Sequence, residues 1–137
     1  RRRGRAGSLN IIPTTTGATK AVIQVLPELK GKIKGVALRV PVANGSIVDL
    51  VVEVKKIADE KKVNSVLKKA SKGEMKGIVE FSMEELVSSD IIGNPHSAVI
   101  DGLSTEVNGN LIKVLAWYDN EYGYSNRVID FVKKLKF

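Results

Sequence analysis

The residues with the clearest capacity for chemistry are three hydroxyls and a glycine, Thr14, Thr15, Thr16 and Gly17, with arginines to either side along the chain. Arg1, Arg2, Arg3 and Arg5 precede them and Arg39 follows. The chemistry this combination suits is anion binding. The first N–H groups of a helix have no internal partner and carry the positive end of the peptide dipoles. Guanidinium groups grip phosphate in bidentate fashion. A plainer alternative stands beside this one: the threonines only cap a helix, with Thr16 the expected N-cap. Arg39 sits among Val36, Leu38 and Val40, so it requires an anion or a carboxylate. An ion pair with Asp49 on a neighbouring strand would satisfy it equally.

A second constellation is Trp117-Tyr118-Asp119-Asn120-Glu121-Tyr122-Gly123-Tyr124-Ser125, aromatic residues around three polar ones at an expected strand-to-helix junction. Such a junction can line a ligand pocket. Alternatively, Trp117 and Tyr124 belong to the core while Asp119 or Asn120 caps the last helix. His96, after Pro95, reads as a surface histidine.

Composition narrows the classes. The chain has 137 residues, one histidine and no cysteine, so disulfides, thiolate metal sites and thiol nucleophiles are excluded within it. No carboxylate cluster has calcium-loop spacing, and metal binding is not expected. The net charge is +7, and four of the positive charges lie in the first five residues. A basic arm of this kind can bind nucleic acid or another polyanion, but the aromatic interleaving of single-strand binders is missing, and nucleic acid is not the expected partner. No apolar run approaches the roughly 20 residues of a membrane span and nothing at the start resembles a signal peptide, so no membrane is expected and the domain reads as soluble and intracellular. The opening on Arg1, without a turn or cap, suggests a piece of something longer.

The positioning elements follow from periodicity. An apolar strand ends near Ile12, where Pro13 fixes a turn. Residues 17–26 place Ala18, Ala21, Val22, Val25 and Leu26 on one helical face, ended by Pro27. Residues 35–41 and 46–55 read as strands around the turn signal Asn44-Gly45, suggesting a long antiparallel pair. A helix over 59–71 carries Val63, Val66, Leu67 and Ala70 inward and lysines outward. Strands follow over 77–81 and 97–102, then a hairpin of 105–109 with 110–117. A closing helix over 122–137 carries Tyr124, Val128, Phe131, Val132 and Leu135. The fold class is α+β, a mixed and largely antiparallel sheet with helices on one face. The long strands also allow an assembly role.

Together these stretches resemble one family. Arg1-Arg2-Arg3-Gly4-Arg5-Ala6, Asn10-Ile11-Ile12-Pro13-Thr14-Thr15-Thr16-Gly17-Ala18, Leu26-Pro27-Glu28-Leu29-Lys30-Gly31-Lys32, Ala37-Leu38-Arg39-Val40-Pro41, Val48-Asp49-Leu50, Ser88-Ser89-Asp90 and Trp117 to Ser125 followed by Arg127-Val128 occur in the order found in phosphorylating glyceraldehyde-3-phosphate dehydrogenase. The chain is similar to the C-terminal part of that family's catalytic domain.

The resemblance implies a partial catalytic domain over 1–137, with the Rossmann domain and the nucleophile segment outside it, in a homotetrameric, cytoplasmic enzyme. It implies oxidation of glyceraldehyde 3-phosphate with NAD and inorganic phosphate, through a cysteine thiohemiacetal, to 1,3-bisphosphoglycerate. By resemblance Thr16, Gly17, Arg39 and Arg3 bind phosphate, Asn120 holds the nicotinamide carboxamide, and Tyr124 lies beside that ring. Neither NADP nor the related erythrose-4-phosphate dehydrogenase is separated by these residues. His96 does not match the family's histidine base, and without a thiol the 137 residues alone are expected to be inactive. Val42-Ala43-Asn44-Gly45 departs from the commoner Thr-Pro-Asn-Val, and Thr19 from Ala, changes expected to leave the roles intact.

Overall fold

The computed structural model of the chain describes residues 2–135. Arg1 of the basic run and the end of the expected closing helix at 136–137 lie outside them. The chain divides into two units, residues 1–43 and 44–137.

In the first unit, β1 (Ile12–Thr14) and β2 (Ala37–Arg39) form a two-stranded antiparallel ribbon, with Ile12 opposite Arg39, Pro13 opposite Leu38 and Thr14 opposite Ala37. The helix α1 (Ala18–Val25) lies between them in sequence, and Pro27 opens a short 3₁₀ turn after it. Two expectations change here. Pro13 does not turn the chain but sits inside β1. A two-stranded ribbon leaves one edge of β1 unpaired, and a residue without an N–H is tolerated there. Arg39 is not flanked by long strand on both sides but closes a three-residue strand.

In the second unit, β3 (Ser46–Glu53), β4 (Val79–Ser82), β5 (Ala98–Asn108) and β6 (Leu111–Tyr118) form a four-stranded sheet in the order β3-β6-β5-β4. The pairs β3–β6 and β5–β6 are antiparallel and β4–β5 is parallel, so the sheet is mixed. With α2 (Glu60–Lys72) and α3 (Tyr122–Lys134) it makes the expected α+β class. The core is built from Ile91, Val99, Ile100 and Ile112.

The antiparallel pair expected across Asn44-Gly45 does not form, because β2 pairs with β1 while β3 pairs along its whole length with β6. Gly45 does take the left-handed conformation of a turn (φ +95°), but the polar groups of that turn bond to Asp119 and Asn120, just after β6, rather than to a hairpin partner. The separate strands expected over 97–102 and 105–109 are one strand, β5, with a register shift between Asp101 and Glu106. Gly102 lies in that irregular stretch, where a Cβ would come within 2.5 Å of the Phe81 ring and 2.9 Å of the Ser82 carbonyl oxygen. The close approach of β4 therefore excludes a side chain at this point.

The sequence reading of α2 stands. Asp59 caps it by accepting from the Lys62 amide at 2.7 Å, Lys69 and Lys72 occupy its last turn, and Val63, Leu67 and Ala70 are half-buried. Val66 is exposed rather than inward. Asn64 ties the helix to β5, donating to the Gly102 carbonyl at 2.8 Å and accepting from the Thr105 hydroxyl at 2.7 Å.

Candidate functional site

The first unit holds an open cleft of about 340 Å³ lined by Arg3, Ile12, Thr14, Thr15, Thr16, Gly17 and Arg39. All four residues expected to bind phosphate are thus brought to one cleft. Their placement follows from local rules. The short β1 delivers the three threonines to the start of α1. Antiparallel pairing sets Arg39 opposite Ile12, two residues before Thr14 on the neighbouring strand.

The hydroxyl of Thr16 accepts from the Ala18 amide at 3.1 Å, so it closes a turn one residue before the helix, and the N-cap position itself is Gly17. Gly17 has ordinary helical angles (φ −82°, ψ −12°), and a Cβ there would meet nothing within 4 Å. Neither the backbone nor the protein's own packing demands glycine at this position.

Arg3 is held in place by Thr15, donating to its hydroxyl at 2.9 Å and its carbonyl at 3.4 Å. Arg39 is exposed, and among the described residues no carboxylate forms an ion pair with it. The alternative partner Asp49 lies opposite Leu115 in the β3–β6 ladder, with its carboxylate 4.0 Å from the Lys113 ammonium. The Thr14 hydroxyl oxygen is buried without a hydrogen bond. The cleft therefore presents cationic and donor groups whose anionic partner is not supplied from within.

In the second unit the junction between β6 and α3 is organised by Asp119, which is 3% exposed. Its Oδ1 accepts from the amides of Tyr122 (2.8 Å) and Glu121 (2.9 Å), and its Oδ2 from the Gly93 amide (2.8 Å) and the Asn44 side chain (3.0 Å). The Tyr122 and Gly93 amides hold its pKa down at about 2, against burial, which pushes the other way; the Glu121 amide and Asn44 add to the lowering. Asp119, not Asn120, therefore holds the first amides of α3, although the N-cap position itself is Glu121.

Asn120 is exposed, and its side-chain oxygen accepts from the Gly45 amide at 3.2 Å and the Ser46 hydroxyl at 3.1 Å. Its Nδ2 has one neighbour, Glu121 Oε1 at 3.3 Å. Tyr124 is 72% exposed on α3, so the reading of it as a core residue is wrong. Trp117 is half-buried, with its indole N–H donating to Asp101 at 3.1 Å.

His96 is not a free surface histidine. Its Nδ1 lies 2.9 Å from Asn94 Oδ1 and 3.1 Å from Glu80 Oε2, and its carbonyl oxygen faces Gly123, where a Cβ would approach to 2.7 Å. The sequence reading missed Asn44, Gly93 and Ser46 as the partners that fix this junction. The turn residues Asn44-Gly45 were visible, but their destination lies 75 residues away. Among the described residues there is no group of three or more potential metal ligands, and no helix is long and apolar enough to cross a membrane.

The family described as glyceraldehyde 3-phosphate dehydrogenase, C-terminal domain, matches residues 1–120. The chain belongs to that family. It is 57% identical over 137 residues to the glyceraldehyde-3-phosphate dehydrogenase of Borreliella burgdorferi, covering 98% of this chain and 41% of that protein. Over 130 residues it is 57% identical to glyceraldehyde-3-phosphate dehydrogenase 1 of Bacillus subtilis, covering 94% of this chain and 39% of that protein. Over 133 residues it is 56% identical to glyceraldehyde-3-phosphate dehydrogenase 2 of Trichormus variabilis, covering 96% and 40%. The chain spans about two fifths of the length of the curated relatives it matches.

Proposed function

We propose that the protein carrying this chain oxidises glyceraldehyde 3-phosphate with NAD and inorganic phosphate to 1,3-bisphosphoglycerate, as a cytoplasmic homotetramer in which residues 1–137 form part of the catalytic domain. The observation that carries this reading is the cleft that gathers Arg3, Thr16, Gly17 and Arg39 with no carboxylate paired to Arg39 among the described residues. The names of the relatives support the same reading and favour it over a basic polyanion-binding or assembly module.

In this reading Arg39 and Arg3 neutralise phosphate charge, Thr16 orders the turn, and Gly17 leaves room for an oxyanion to reach the helix-start amides. Asn120 and Tyr124 serve the nicotinamide. The Asn120 amide fits a carboxamide because its oxygen is already bonded on the protein side and its Nδ2 keeps a hydrogen for an external acceptor. NAD supplies the hydride acceptor when bound. The 137 residues contain no cysteine, so the thiol that would carry the acyl group comes from elsewhere in the protein.

Assay of the full-length protein tests the reading. NADH formation from glyceraldehyde 3-phosphate should require inorganic phosphate, exceed the rate with erythrose 4-phosphate, and fall about 100-fold in Arg39→Ala, the scale of a lost charge-assisted bidentate contact. Phosphate-independent turnover, or an unaffected Arg39→Ala variant, would overturn it. Sedimentation at four times the subunit mass checks the assembly.

A further inference from the structure

The amide of Asn120 has an orientation that can be derived atom by atom. The Gly45 N–H can only donate, so the Asn120 atom it meets at 3.2 Å is the oxygen, and the Ser46 hydroxyl at 3.1 Å shares that oxygen. Nδ2 is then turned away from the protein, with one hydrogen toward Glu121 and the other without an acceptor among the described residues. Gly45 reaches this position only because it is glycine. Its φ is +95°, and a Cβ would lie 2.6 Å from the Ser88 carbonyl oxygen. The backbone just before Asn120 is fixed independently by the four donors on Asp119.

We propose that Gly45 and Ser46 are a positioning pair that sets the polarity of the Asn120 amide, so that this subsite offers ligands a hydrogen-bond donor and no acceptor. It would select the carbonyl oxygen of a ring carboxamide and reject a group that can only donate. The proposal rests on the assignment of Asn120 to the nicotinamide made above. The replacement of the commoner valine by Gly45, expected to be neutral, is on this account part of the device, since glycine adopts without strain the left-handed angle (φ +95°) at which its N–H meets the Asn120 oxygen.

Equilibrium dialysis of NADH against the full-length protein tests it, the reduced ring being uncharged and so indifferent to an added carboxylate. Ser46→Ala should weaken binding about fivefold, the effect of losing one orienting hydrogen bond, and Ser46→Thr should restore it to within about twofold. Asn120→Asp keeps the oxygen that Gly45 and Ser46 hold but removes the donor, and should cost tenfold or more. At saturating cofactor, kcat of Ser46→Ala should move by less than about twofold, because Ser46 touches no reacting atom. If Asn120→Ala weakens binding while Ser46→Ala and Asn120→Asp bind like the unmodified protein, the positioning device is wrong and the nicotinamide assignment survives. If Asn120→Ala itself binds normally, the assignment fails and the device with it.

Discussion

The cleft beside α1 and the junction before α3 are both built from polar residues at the start of a helix, yet they treat those residues in opposite ways. At the junction, Asp119 is buried and each oxygen accepts two hydrogen bonds, so its charge is consumed by the fold. At the cleft, Arg39 is exposed without a carboxylate, the Thr14 hydroxyl oxygen is unpartnered, and Gly17 leaves open space where a side chain would fit. A polar group satisfied from within reports architecture, while one left unsatisfied by its own chain calls for a partner from outside it, and the phosphate site proposed above supplies one.

The sharpest way to break this contrast is to exchange stability for activity at the two places. Asp119→Ala should destabilise the protein by about 3 kcal/mol, because four part-buried hydrogen bonds lose their shared, buried charged acceptor together, and urea unfolding would measure it. Arg39→Ala should do the reverse, lowering kcat/KM for phosphate about 100-fold with an unfolding midpoint unchanged within error. If Arg39→Ala unfolds the protein and Asp119→Ala does not, the assignment of roles is inverted.

Acid offers a finer comparison. The folded-state pKa of Asp119 is depressed to about 2 from 3.8, so its contribution is complete above the unfolded value and disappears as pH falls through about 2. An Asp119→Asn variant should therefore lose less stability than the unmodified protein between pH 4 and pH 2, read by circular dichroism at each pH. The smallest expected effect is at Gly17. Gly17→Ala should leave stability unchanged or raise it by about 0.5 kcal/mol, since its backbone is helical and unobstructed. Phosphate affinity should nonetheless fall several-fold, as isothermal titration would show.

The sequence made much of this legible because the signals are local. The apolar spacing of α2, its Asp59 cap and its lysine-rich last turn needed no knowledge of the sheet. The gathering of Arg3, Thr16, Gly17 and Arg39 at one cleft was foreshadowed by a run of threonines and glycine at a helix start with arginines to either side, although Asp49 stood as an equal candidate partner for Arg39. Strand partnership was not. Asn44-Gly45 carries the usual signature of a hairpin, but nothing local says that the distant β6 competes successfully for β3. The junction network was half visible: Asp119 or Asn120 was the expected cap, whereas the bonds of Asp119 to Gly93 and Asn44 exist only after the sheet has formed. Tyr124 follows the helical apolar spacing and still lies at the surface, since periodicity names a face and not what covers it.

Ile12 is the only buried apolar side chain among the described residues of the first unit. A region with so little hydrophobic weight sits near the low end of local stability, and its amides should exchange with solvent early. On the proposed function, phosphate bound in the cleft would contribute to ordering that region as well as to its own retention, by the ordinary linkage between binding and folding. Phosphate in the medium would slow deuterium uptake in residues 12–18 and 37–39, and leave the strands of the larger sheet as they were.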